Sequence, residues 1–325
     1  MAPDPLVSAC DLAAAESWLA AAPPLDLSVV VSSVAERQRQ DGSWGAADDV
    51  WRRILPTLWT TATLAELGAA GSAAVSAGAA FLSAHAATDD GVFSRDGRRD
   101  GVLACYVAIA ATTYLVSGRR DLAEPQVAWI MRYQDVQEHG SSLRGGVGIY
   151  HPALAHRYGG CLGSTTCLVG VIKAGRALEL WRRSEPDLVR SRGTRDIDDL
   201  IAVTREVLLT RRLMLRSDGG ILPLSVPPAR AQEWLQPSFP LDWRTDLIEV
   251  LDLVARTGPS DERMQPALER ISALQRSDGG WPLLRSFWPS AFPAVEPRSS
   301  GRSSRLVTSR VVGALTAIRD RPASH

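Results

Sequence analysis

Lysine is almost absent from this chain: of its 36 basic residues only Lys173 is a lysine, and the others are arginine. Together with abundant alanine, that usage is what GC-rich bacterial coding produces. An excess of either charge is missing too. Basic and acidic residues number 36 each, so no global field favours nucleic acid or an anionic membrane. No apolar run approaches the ~18–20 residues of a membrane span. The opening residues, MAPDPLVSACDLAAAESW, lack the basic-then-apolar layout of a secretory leader. Four cysteines in 325 residues do not make a disulfide framework, and a reducing, cytoplasmic setting is expected. Strand-like alternation of useful length is also lacking, which excludes a sheet-built core.

What the chain does have is repetition. QRQDGSW (Gln38 to Trp44) and QRSDGGW (Gln275 to Trp281) share the pattern Q-x3-G-x-W, and RSDGGIL and TDDGVF are weaker copies carrying Ile221 and Phe93 in the tryptophan position. Each follows a two-faced helical stretch, such as SVVVSSVAERQ or RMQPALERISALQ. Each precedes a more uniformly apolar one, such as LPTLWTTATLAELG or GVLACYVAIAATTYLVSG. Gly42, Gly91, Gly145, Gly219 and Gly279 mark five turns. The repeats run over about 25–70, 72–118, 121–182, 195–258 and 260–320, with a further helix near Leu12 to Ala20 ahead of them. The expectation is an all-α chain forming a single domain over 1–325, with amphipathic helices packed outside buried ones.

The Q-x3-G-x-W turns resemble the repeats of the squalene-hopene cyclase, terpene cyclase and protein prenyltransferase superfamily, and the resemblance extends along the whole chain. The run beginning FPLDWRTDLIEVL is similar to a branch of small single-toroid bacterial and archaeal proteins. The resemblance implies an α/α toroid of the α6/α6 barrel type with five to six helix–turn–helix repeats and a central apolar cavity. It further implies a hydrophobic small-molecule substrate and no organic cofactor; nucleic acid is not expected as a partner, and a partner subunit stays open.

Several residues are candidates for chemistry. HPALAHRYGGCLGSTTC places His151, His156, Cys161 and Cys167 in one window ahead of a buried helix. Thiolate and imidazole are suitable zinc ligands, and related toroids resemble this arrangement in holding zinc at helix starts. Three readings stand side by side: a zinc site, a metal-free site using the same side chains, and a cysteine-rich helix start with small core residues. Lys173 follows on the same helix and is a candidate for a tuned amine. Asp242 and Asp246 are expected one turn apart on one face of the next buried helix, where Asp246 would serve as an acid. DIDD, with Asp196, Asp198 and Asp199, matches the D-x-D-D acid motif of class II cyclases, but it opens an outer helix and reads as a cap. Trp59, Trp243, Trp281 and Trp288 are candidates for lining a cavity and steadying a carbocation. Arg298, Arg302, Arg305 and Arg310, around the start of the last helix, would suit a phosphate or diphosphate.

The function these patterns point to is a terpene-cyclase-like enzyme of cyclase or lyase type acting on an isoprenoid-like or other hydrophobic small molecule, assisted by zinc. The alternatives are a metal-free cyclase initiated by Asp246 and a non-catalytic binding or scaffold toroid.

Overall fold

The computed structural model describes residues 9–136, 150–151, 167–184, 196–293 and 295–321. Among them helices and turns carry the chain, and β structure is limited to isolated bridges. The helices are α1 (Leu12–Ala21), α2 (Leu27–Glu36), α3 (Val50–Leu64), α4 (Ala73–His85), α5 (Ala104–Val116), α6 (Arg120–Tyr133), α7 (Leu168–Ser184), α8 (Ile197–Thr210), α9 (Leu247–Thr257), α10 (Gln265–Ser272) and α11 (Arg305–Arg319). The helical class and the helix–turn–helix order therefore follow the sequence pattern. The third turn, with Gly145, lies outside the described residues.

The helices gather into two compact units. One comprises Met1–Leu25, Thr204–Phe287 and Glu296–His325; the other comprises Asp26–Val203 and Trp288–Val295. In the second of these, α5 packs on α6 and α7, and α3 packs on α4. Helix α5 is buried nearly all round because its residues, ACYVAIAATTYLV, are small or apolar on every face. In the other unit α9 packs on α11, and α11 packs on α1, so the first helix of the chain is an integral part of the unit that holds the last.

The turns explain the repetition in the sequence. In the first, Arg39 N–H donates to Ser43 O (2.9 Å) and Gly42 N–H to Arg39 O (2.9 Å). The same pair of bonds recurs at Thr88/Gly91/Val92, at Arg216/Gly219/Gly220 and at Arg276/Gly279/Gly280. The turn glycines have φ of +85°, +79°, +80° and +94°, the left-handed region in which a Cβ is penalised. Gly42 has a second reason to be glycine: an added Cβ would lie 2.4 Å from Ala77 O of α4.

Gln38 and Gln275 use this turn to dock a neighbouring helix. Gln38 Nε2 donates to Gly42 O (2.9 Å) and Ala74 O (2.8 Å), reaching α4. Gln275 Nε2 donates to Gly279 O (2.9 Å) and Asp11 O (2.8 Å), while its Oε1 accepts from Asp11 N–H (2.9 Å), clasping the start of α1. The two tryptophans behave as copies of one another. Trp44 Nε1 donates to Val34 O and its N–H to Thr57 Oγ1; Trp281 Nε1 donates to Ile271 O and its N–H to Thr308 Oγ1. Both indoles are fully buried with their one donor satisfied, so they close the turn onto its two flanking helices.

Candidate functional site

The FPLDWRTD stretch does not behave as a helix carrying two acids on one face. Asp242 sits in a turn at φ +50°, and α9 begins only at Leu247. The expected i, i+4 pairing of Asp242 and Asp246 is thus corrected: Asp246 is the N-cap of α9, and Asp242 belongs to the loop before it.

Asp246 is wholly buried and saturated with donors. Its Oδ1 accepts from Glu249 N–H (2.9 Å) and Arg310 Nη2 (2.9 Å), and its Oδ2 from Ser238 N–H (3.0 Å) and Arg310 Nη1 (2.8 Å). Four N–H groups on two oxygens leave no lone pair directed at a substrate and no place for a proton to be presented. The residue binds α9 to α11, a latch between helices; initiation by Asp246 has nothing to support it in this geometry.

The loop around Asp242 is different in kind. Arg244 lies 4.8 Å from the Trp243 ring centroid and 4.3 Å from that of Phe287, and Arg285 lies 5.0 Å from Phe287. Asp242 accepts from Arg244 N–H (2.9 Å) and from its Nη1. Glu233 faces Arg285 at 3.4 Å and pairs with Arg230. Three guanidiniums therefore surround two carboxylates, with Phe287 between Arg244 and Arg285 as their shared ring. Burial pushes the Arg285 pKa below the ordinary arginine value; the like charges of Arg244 and Arg230 act the same way, against Glu233 and Asp242. A half-desolvated cluster with an unbalanced positive charge and apolar rings is a place for an anion with a hydrophobic body. Of these residues the sequence pointed to Trp243 and Asp242 only; Arg285 and Phe287, some forty residues on, carried no motif.

The basic segment before α11 is already occupied internally. Glu296 accepts from Ser304 Oγ, from Arg305 N–H (2.9 Å) and from Leu306 N–H (3.4 Å), so a carboxylate of the chain itself fills the helix N-terminus where a phosphate was expected. Arg305 Nη1 donates to Leu19 O (2.8 Å) and Ala22 O (2.9 Å), closing the C-terminal end of α1. Arg310 is committed to Asp246, while Arg302 and Arg298 are exposed. The expectation of an anion site here is corrected on those grounds.

The remaining candidates are dispersed. Asp196 accepts from Asp198 N–H (2.7 Å) at the start of α8, as a cap does, and Asp198 pairs with Arg182. Trp59 meets Tyr106 edge-on with centroids 5.2 Å apart, and Trp288 stacks on Phe292 at 5.4 Å. Lys173 is buried within α7. Cys167 immediately precedes α7 and, like His151, is partly exposed, whereas Cys161 and His156 lie outside the described residues. Among the described residues no three of His, Cys, Asp and Glu come together in a way that would hold a metal.

No protein-family model matches the chain, and no curated protein matches it. Among solved structures it is similar to a variant of the type II terpene cyclase MstE from Scytonema in complex with its substrate geranylgeranyl dihydroxybenzoate, at 14% identity over 95% of this chain and 99% of that one, with a TM-score of 0.35. A second MstE variant, in complex with the product merosterolic acid A, is 14% identical over 95% and 98% of the two chains at a TM-score of 0.34. A protein from Actinoplanes is 17% identical over 95% and 99% at a TM-score of 0.33.

Proposed function

We propose that this chain is a terpene-cyclase-like enzyme, a toroid acting as a cyclase or lyase on an isoprenoid-like hydrophobic molecule whose anionic head is held by Arg244 and Arg285. The observation that carries this reading lies at Phe287: the part-desolvated guanidiniums of Arg244 and Arg285 lie over its ring, and exposed Arg230 brings the local count to three guanidiniums against two carboxylates. The Q-x3-G-x-W turns with their recurrent hydrogen bonds support the superfamily from which the substrate class is drawn.

In this reading Arg244 and Arg285 bind and orient the head group, and Trp243 and Phe287 exclude water from the first part of the hydrocarbon. Zinc remains a proposal from the sequence. A centre near α7 would draw on Cys161, Cys167 and either His151 or His156, and no step is assigned to it. Elemental analysis of the protein and of Cys167→Ala is its test: zinc near one equivalent, lost in the variant, supports it, and metal-free wild type removes it.

The head-group reading is tested by calorimetric titration with a non-hydrolysable farnesyl diphosphate analogue and by chromatography of products from prenyl substrates. Arg285→Gln and Arg244→Gln are each expected to weaken binding about 10- to 100-fold, as loss of a charge-assisted contact does. Unchanged affinity in both variants, or no binding by the wild type, would sink this reading and leave the scaffold alternative in its place.

A further inference from the structure

The three arginines of the Phe287 cluster are not equally occupied. Arg244 is committed to Asp242, which accepts from its backbone N–H (2.9 Å) and from its Nη1. Asp242 holds φ +50° while it does so, a left-handed angle that aspartate tolerates better than most residues but that is still disfavoured. Arg230 is committed to Glu233, its Nε and Nη2 each donating to one carboxylate oxygen.

Arg285 has no such partner. Its side chain is only 15% exposed, yet among the described residues its guanidinium donates no hydrogen bond. Its neighbours are the Phe287 ring, 5.0 Å away, and Glu233 Oε2 at 3.4 Å, the same oxygen that Arg230 Nη2 already uses. Most of the side chain is thus out of water while its five donors lack a protein acceptor of their own. The part that stays exposed keeps the fork within reach of a ligand.

Shape and charge select the same ligand. Two parallel N–H groups of a guanidinium match the two oxygens of a carboxylate. Asp242 offsets Arg244 and Glu233 offsets Arg230, which leaves the single charge of Arg285 to be balanced. A carboxylate balances it. A diphosphate brings more than one negative charge, and the surplus would face Asp242 and Glu233 in a half-desolvated site.

We infer that the head group held by the cluster is a carboxylate, taken by the fork of Arg285, and that Asp242 selects it over a diphosphate by neutralising Arg244. The inference rests on the reading of Arg244 and Arg285 as a head-group site and narrows it to one class of substrate, an isoprenoid-like carboxylic acid.

The test is calorimetric titration of the full chain with three compounds that share a chain and differ at the head: farnesoic acid, a non-hydrolysable farnesyl diphosphate analogue and farnesol. Both anions are expected to bind, farnesoic acid about tenfold tighter than the diphosphate analogue and about 10- to 100-fold tighter than farnesol. Asp242→Asn keeps an acceptor for Arg244 N–H and suits the left-handed backbone, but removes the charge. It is expected to strengthen the diphosphate analogue about tenfold and farnesoic acid by about threefold or less, which closes the gap between them. Arg285→Lys keeps the charge and loses the fork; farnesoic acid is expected to weaken about tenfold and the diphosphate analogue about twofold or less. Equal or tighter binding of the diphosphate analogue by the wild type overturns the carboxylate assignment and leaves the head-group reading standing. Farnesol binding as tightly as both anions, or no binding of any of the three, overturns that reading as well. A ratio of the two anions that Asp242→Asn leaves unmoved overturns the selecting role of Asp242, and equal losses for both anions in Arg285→Lys overturn the fork contact.

Discussion

The first and fifth turns carry the full Q-x3-G-x-W pattern, whereas the second and fourth keep only its glycine, yet all four make the same two backbone hydrogen bonds. The shape of the turn therefore belongs to the glycine and the backbone, and the glutamine and tryptophan do a separate job. They fasten a finished turn to the helices beside it. Where they are missing, other residues are recruited: Gln126 supplies the amide for the second turn, and Trp234, fully buried, gives its indole N–H to Leu222 O beside the fourth. In both of these turns the glutamine and tryptophan positions instead form an isolated bridge, Ala87 with Phe93 and Leu215 with Ile221.

The glycines offer the most severe way to break this comparison. Gly42→Ala adds a Cβ to a residue at φ +85° and drives it to 2.4 Å from Ala77 O, a backbone atom that cannot turn aside. Left-handed strain and that collision together are expected to destabilise by about 3–4 kcal/mol. Gly219→Ala meets the same strain at φ +80° but nothing within 4 Å. It should cost about 1 kcal/mol. Chemical denaturation of both variants gives the difference directly, and equal losses would mean that α4 does not rest on the first turn as described.

Next in size is the fastening indole. Trp281→Phe removes the bond from Nε1 to Ile271 O and leaves a void in a site that is fully buried. A loss of about 2–3 kcal/mol is expected, and a similar one for Trp44→Phe, since the two make matching contacts. Calorimetric melting of the two variants checks it. A large loss at one position and none at the other would show that the two turns, alike in geometry, differ in what they support.

How much of this was legible in the sequence follows from the range of each interaction. The turns and their glycines could be read because the whole device lies within seven residues. The cap at Asp196 could be read for the same reason: it is satisfied two residues away, by Asp198 N–H. Asp246 was misplaced because its fate is decided by Arg310, 64 residues on, and by a helix that starts one residue after it rather than before. Arg305 looked like a ligand for phosphate because nothing local indicates that its partners are the carbonyls of Leu19 and Ala22, 286 and 283 residues away. Arg285 and Phe287 escaped notice because neither belongs to a turn motif, and only folding brings them to Arg244.

The inverted amide gives a finer prediction. Gln275→Ala loses two donated bonds and one accepted bond at the edge of α1, while Gln126→Ala loses the bonds to Gly91 and Phe93 from the opposite direction. If Gln126 stands in for the missing glutamine, the two variants should each cost about 1–2 kcal/mol by urea denaturation. A negligible loss for Gln126→Ala would leave the second turn held by Phe93 and its bridge alone.

The smallest expected difference is electrostatic and separates the first turn from the fourth at low pH. Burial pushes the Asp41 carboxyl up, but hydrogen bonds from Ser43 and Arg53 outweigh it and hold the pKa at about 2. Asp218, held at about 2 by Arg216 and by Gly220 N–H, is fully exposed and engages only its own turn. Both values lie below the ordinary 3.8, so the carboxylate form is favoured in the fold; the stabilisation is complete above about pH 4 and is lost as pH falls through about 2. For Asp41 the partner is Arg53, almost wholly buried on α3, while the carboxylate itself is 41% exposed. Screening by solvent therefore limits the expected loss in Asp41→Asn to about 1 kcal/mol at neutral pH, shrinking toward nothing near pH 2. Asp218→Asn should leave stability within error at every pH, because solvent screens its fully exposed pairing with Arg216. Urea midpoints for the two variants at pH 7, 4 and 2.5 settle the point, and a matching loss in both would mean that Asp41 holds its own turn rather than α3.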